Sequence, residues 1–158
     1  MKKTVSIMIV IVLLILTGCS RSGKQAADSK KQSLQPRQVI ENYFKYYNEK
    51  NREGILSTQT EVNNTPNIEF GFENLKYIRL ISMSEDTNPR QKEAYMKYGR
   101  GSINGVKEEN VLIYKVKYDV KYKKNEVGPQ DSGMYTKWVT IIRKDKNSPW
   151  LIDEIGEG

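Results

Sequence analysis

Leu112, Tyr114, Val116, Tyr118, Val120 and Tyr122 occupy successive alternate positions, with Lys115, Lys117, Asp119 and Lys121 set between them. A period of two puts the apolar set on one face of a strand and the charges on the other, so this stretch belongs to a sheet with one covered and one wet face. Met134 to Arg143, carrying Trp138, Val139, Ile141 and Ile142, reads as its partner strand. Leu75 to Met83, through Leu75, Tyr77, Ile78, Leu80 and Ile81, reads as an earlier strand, and Trp150 to Ile155 as a short last one.

Helical periodicity comes before the strands. Val39, Ile40, Tyr43, Phe44 and Tyr47 recur at helical spacing after Pro36, a residue preorganised for a first helical turn, with Ser33 close enough to help cap it. Asn51 can cap a shorter helix through Ile55, Leu56 and Thr58, whose length Gly54 limits. After Asn88-Pro89 a short helix over Arg90 to Lys97 is expected, and Gly99-Arg100-Gly101 with Asn104-Gly105 mark a mobile connection. These glycines lack the spacing of a dinucleotide or phosphate loop, so phosphate binding there is set aside. Helices first and a mostly antiparallel meander afterwards predict one α+β domain over residues 36–158.

The N-terminus carries a different message. Lys2 and Lys3 precede an apolar run from Val5 to Leu16 interrupted only by Ser6, which follows the grammar of a secretory signal. The run falls short of the roughly 20 residues that span a bilayer core. Leu16-Thr17-Gly18-Cys19 resembles a bacterial lipobox. That resemblance implies a signal peptide over 1–18, cleavage before Cys19, and a diacylglyceryl group on its thiol. An uncleaved anchor, or an ordinary signal peptide with an incidental cysteine, are the alternatives. Each buried methylene adds about 0.8 kcal/mol, so two acyl chains hold firmly where one is marginal. The expected location is the extracytoplasmic side of the cell membrane, with membrane lipid the partner of Cys19. Residues 19–35 are rich in Ser, Gln, Lys and Ala and read as a disordered tether with a reach of roughly 20 to 25 Å.

Charge and composition then exclude several functions. The chain has a formal charge of +7, but only +2 of it belongs to residues 36–158, because Lys2, Lys3 and the tether carry the rest. A nucleic-acid partner calls for a basic stripe on the folded domain, so none is expected. The basic tether suits an anionic membrane surface. There is no histidine, and the single cysteine is taken by the lipobox reading. This removes His-based triads, cysteine nucleophiles and most transition-metal sites, and no cofactor or metal is expected. Ten tyrosines are a notable surplus. Tyr43 and Tyr47 on the helix and Tyr114, Tyr118 and Trp138 on the strands could line one pocket for a small apolar or sugar-like ligand. Ordinary packing of aromatics on strands is the competing explanation.

Four segments resemble one family. Gly71-Phe72-Glu73-Asn74-Leu75, Tyr98-Gly99-Arg100-Gly101, Gly128-Pro129-Gln130-Asp131-Ser132-Gly133 and Arg143-Lys144-Asp145-Lys146-Asn147-Ser148-Pro149-Trp150 are similar to a family of bacterial lipoproteins classed as domain of unknown function 4829. The helices, the sheet and the closing Trp-Leu-Ile-Asp-Glu-Ile-Gly strand also resemble the cone-shaped nuclear-transport-factor-2-like fold. That resemblance implies a curved sheet around the long helix and a cavity at its wide end, which relatives use as an active site, a binding pocket or filled core. Ketosteroid-isomerase-like relatives use an aspartate base, which makes Asp153 the candidate acid or base. Asp153 alternates with Leu151 and Ile155; facing inward, its carboxyl would be desolvated and its pKa raised, while at a fraying terminal strand it would be an ordinary solvated side chain. The expectation is an anchored envelope lipoprotein with a non-catalytic binding domain. The alternatives are a small envelope enzyme using a carboxylate, and an interaction module that docks envelope proteins.

Overall fold

The computed structural model describes residues 34–65 and 67–157. The signal stretch 1–18, Cys19, the tether as far as Ser33, Pro66 and Gly158 lie outside the described residues. Helix α1 spans Pro36–Asn48, with Gln35 at its N-cap donating its backbone N–H to the Gln38 side-chain oxygen at 3.0 Å. Its apolar stripe buries Val39, Ile40 and Phe44. Helix α2, Arg52–Ser57, is capped as its sequence predicts: the Asn51 Oδ1 accepts the Gly54 N–H at 2.9 Å.

Four strands follow: β1 Leu75–Glu85, β2 Val111–Tyr122, β3 Gly133–Ile142 and β4 Leu151–Gly156. They form one sheet in chain order, every neighbouring pair antiparallel. With its helices this makes the α+β architecture expected from the sequence. Leu112 to Tyr122 at alternate positions, with Val139, Ile141 and Ile152, turn toward α1, and Val39, Ile40 and Phe44 close that core. The far edge of β4 is covered too. Ile152 donates its N–H to the Thr58 carbonyl at 2.8 Å, and Thr60 donates to the Ile152 carbonyl at 2.9 Å.

Three features depart from the reading of the sequence. The second face of β2 is wet only over Lys115 to Lys121. At its start Val111 and Ile113 are covered by Tyr95 of helix α3, Pro89–Lys97, which folds back over the sheet. The stretch after α3 is not a mobile connection but a short helix, α4, Gly101–Asn104, that packs on α3. Glycine makes that approach possible: a Cβ on Gly101 would stand 2.8 Å from the Tyr95 ring and 3.0 Å from the Met96 backbone. Gly101→Ala should therefore destabilise the fold by about 1–3 kcal/mol through overpacking, seen as a lower denaturant midpoint.

The third departure concerns β4. Ile152 pairs with Ile141 and Glu154 with Thr140, which leaves Asp153 as an extra residue on its strand. Such a bulge breaks the period of two, so Ile155 lies opposite Val139 on the α1 face while Asp153 is aimed toward α3 and α4. The alternation of Asp153 with Ile155 expected from the sequence does not survive the bulge.

Candidate functional site

Asp153 is 2% exposed and its carboxylate is surrounded by donors. On one oxygen, Oδ2, the Tyr95 hydroxyl donates at 2.7 Å, the Arg100 Nε at 3.0 Å and the Asn104 amide at 3.2 Å. Oδ1 accepts from the Thr60 hydroxyl at 2.8 Å and from the Arg100 Nη2 at 3.3 Å. Arg100 therefore grips both oxygens as a fork. The Asn104 amide also reaches the Tyr95 hydroxyl at 2.8 Å, tying α4 to α3 across the carboxylate. The main chain is held as well, since Asn63 donates to the Asp153 carbonyl at 2.9 Å.

This arrangement decides the protonation state. Burial alone would push the Asp153 carboxyl up, but the hydrogen bonds from Tyr95, Arg100 and Thr60, with the Arg100 charge, hold it below the ordinary carboxylate value. Asp153 is buried, as one of the two sequence readings required, yet the shift runs opposite to the one that reading carried. The Tyr95 hydroxyl moves the other way, raised by burial and by its bond to Asp153. An ionised carboxylate with its lone pairs engaged is a poor proton acceptor. It works here as the acceptor that gathers α3, α4, the Thr60 segment and β4. Next to it lies a cleft of about 550 Å³, whose wall runs from Thr60 past Arg100 to Arg143 and Leu151.

The candidate pocket residues separate. Tyr43, Tyr47 and Tyr118 do come together, at the end of the sheet where Phe72, Tyr122 and Tyr135 also pack. Tyr43 and Tyr47 lie 5.8 Å apart by ring centroid, and Tyr118 stacks on Tyr135 at 5.8 Å. Tyr114 shares that core but stands nearer the other end of β2, opposite Val139 and close to Glu85 and Arg37. Trp138 is on the opposite face of the sheet, because its neighbour Val139 opposes Tyr114 and side chains alternate. There its indole donates to the Asp86 carboxylate at 2.6 Å and its ring packs with Val111 and Ile113.

The tyrosine end has a distinct polar character. The Tyr47 hydroxyl donates to the Phe70 carbonyl at 2.8 Å and the Tyr118 hydroxyl to Gln130 at 2.9 Å. Those of Tyr43 and Tyr122 have no hydrogen-bond partner among the described residues. Burial, then the neighbouring Tyr122, Tyr118 and Glu73, pushes Tyr47 up to about 12. Burial and Tyr47, Tyr118 and Tyr122 also raise Tyr43, so these groups stay neutral donors at ordinary pH.

Residues 37–156 match the family described as Domain of unknown function (DUF4829). The chain belongs to the DUF4829 family. No curated protein and no solved structure matches it. Within this DUF4829 domain the four segments singled out in the sequence fall at two places. Tyr98–Gly101 and Arg143–Trp150 border the Asp153 cleft. Asn74, of Gly71–Leu75, clamps the start of the β2–β3 loop, accepting from the Lys124 N–H at 3.0 Å, and Gln130, of Gly128–Gly133, receives Tyr118 at the tyrosine end.

Tyr95, Arg100, Asn104 and Thr60 were not anticipated as partners of Asp153 in the DUF4829 domain. One signal for them exists in the sequence: a carboxylate between Ile152 and Ile155 in an apolar strand demands a cation, and Arg100 between two glycines is free to approach. Among the described residues no group of three or more acidic, histidine or cysteine side chains is placed to hold a metal ion. Nor is any described helix long and apolar enough to cross a membrane.

Proposed function

We propose that this DUF4829 protein is a lipid-anchored envelope protein, held by acylated Cys19 at the outer side of the cell membrane. Its cone-like, nuclear-transport-factor-2-like domain binds a small apolar or sugar-like ligand without transforming it. The observation that carries the reading is the tyrosine end: half-buried rings of Tyr43, Tyr47, Tyr122 and Tyr135 around two hydroxyls that no described residue satisfies. Rings supply apolar contact area and free hydroxyls orient what packs on them. The competing reading, Asp153 as a general base, asks for a carboxyl raised toward neutrality, and its donors act in the opposite sense.

Native mass spectrometry of the protein extracted from its own membrane tests both halves. The expected mature mass begins at Cys19 and includes a diacylglyceryl group, with a second, small non-covalent species retained by the wild type and lost from Tyr43→Ala. A mature mass without lipid sinks the anchor. A ligand retained equally by Tyr43→Ala sinks the tyrosine site, and a ligand-free wild type turns the reading toward filled core and a surface for envelope proteins.

A further inference from the structure

The Asp153 cleft holds a second cation, Arg143, with no acidic partner among the described residues. Arg143 follows β3, and its Nε donates to the Oδ1 of the buried Asn110 at 3.0 Å. Its guanidinium carbon sits 4.5 Å from the centroid of the Trp150 ring. Its backbone N–H is fixed as well, on the Asn110 carbonyl at 3.1 Å. One edge and one face of the guanidinium are thus held, while its two terminal nitrogens meet no acceptor, and the side chain no acidic partner, among the described residues. A planar fork held this way is preorganised for two oxygens of one anion.

The surroundings specify what accompanies that anion. Of the acidic side chains on its wall, Asp153 is already held by Arg100, which leaves Glu61 to oppose Arg143 and the neighbouring Lys144, whose charge also acts on Asp145. Val62, Val106, Ile142 and Leu151 line the rest. A volume of about 550 Å³ lies in the range of small-molecule sites, which combine apolar walls with a few placed polar groups.

We infer that this cleft binds an anionic amphiphile, its carboxylate or phosphate head on Arg143 and Lys144 and its apolar part against Val62, Val106, Ile142 and Leu151. The site shares no residue with the tyrosine end, so the two readings succeed or fail separately. The same head and tail chemistry can come from a bilayer lipid or from a soluble organic acid or phosphate.

The test is calorimetric titration of the mature protein in phosphatidylcholine nanodiscs with hexyl phosphate, and with inorganic phosphate and hexanol as the head and tail alone. Hexyl phosphate should bind saturably and more tightly than either part. Arg143→Gln should weaken it by roughly tenfold, the scale of a lost charged hydrogen bond, and Arg143→Lys by less because the fork alone is lost. Should Arg143→Gln fail to fold, Lys144→Gln and Val62→Ser, both at exposed positions, should each weaken binding measurably with unchanged thermal melting. Absence of saturable binding overturns the inference, and so does an affinity indifferent to Arg143→Gln, or to both Lys144→Gln and Val62→Ser where those replace it. Discs containing phosphatidylglycerol separate the sources: competition with hexyl phosphate assigns the site to a bilayer lipid, and its absence, with hexyl phosphate still bound, to a soluble anion.

Discussion

Replacing Asp153 by alanine is expected to lower the unfolding free energy by about 3–5 kcal/mol, the scale seen when one partner of a buried ion pair is removed. The reason is the group of donors left behind. Arg100 would keep its charge beside an empty site, and the Tyr95 and Thr60 hydroxyls would lose their acceptor. Asp153→Asn should cost less, since it keeps the shape but turns an amide N–H toward groups that are themselves donors. Urea unfolding reads both, as a lower midpoint at unchanged slope. A change within about 0.5 kcal/mol, the scale of a surface substitution, would show that the carboxylate is not buried as described.

The pH dependence of the same variants gives an independent check. The folded carboxyl of Asp153 lies below its ordinary value, and in the unfolded chain it returns to about 3.9. Its stabilisation is therefore complete above that pH and is lost as pH falls through the lower folded value. Wild-type stability should decline on acidification below pH of about 4 more steeply than that of Asp153→Asn. Equal slopes for the two proteins would remove Asp153 from the account of acid stability.

Phe44→Ala should have an effect of comparable size, about 3–5 kcal/mol. Phe44 is 4% exposed, with its ring 5.4 Å from that of Tyr43 and 5.3 Å from that of Tyr118. It joins α1 to the middle of β2, and its removal opens a void that neighbouring rings fill only in part. Tyr98→Ala provides the contrast. That ring is 87% exposed, and its loss should stay within about 0.5 kcal/mol. If the two substitutions cost the same, α1 does not seal the sheet.

Much of the fold was readable because it rests on local periodicity. The 3.6-residue recurrence of Val39, Ile40, Phe44 and Tyr47 and the two-residue recurrence along β2 each commit a segment to one geometry before any partner is known. Caps and turns behaved likewise at Asn51 and at Asn88-Pro89. The family was also legible, since its segments are stretches of sequence.

Three-dimensional pairing decided the rest. Whether Trp138 shares a face with Tyr118 depends on the β2–β3 register, and a shift of one residue would reverse the answer. Where Asp153 points depends on a single extra residue in β4, which breaks the alternation by which a strand is read. Whether Gly99–Gly105 is loose or docked depends on Arg100 reaching a carboxylate 53 residues further along the chain. By itself the sequence determined the long helix and the four strands and their order, because those follow from neighbours in the chain; its N-terminus resembles a lipobox. Only the tertiary structure joined Asp153 to Arg100 and Tyr95, and set Arg143, without an acidic partner among the described residues, beside an apolar wall. Those relations join groups far apart in the chain, and burial, which sets the strength of each charge, exists only once the elements have packed.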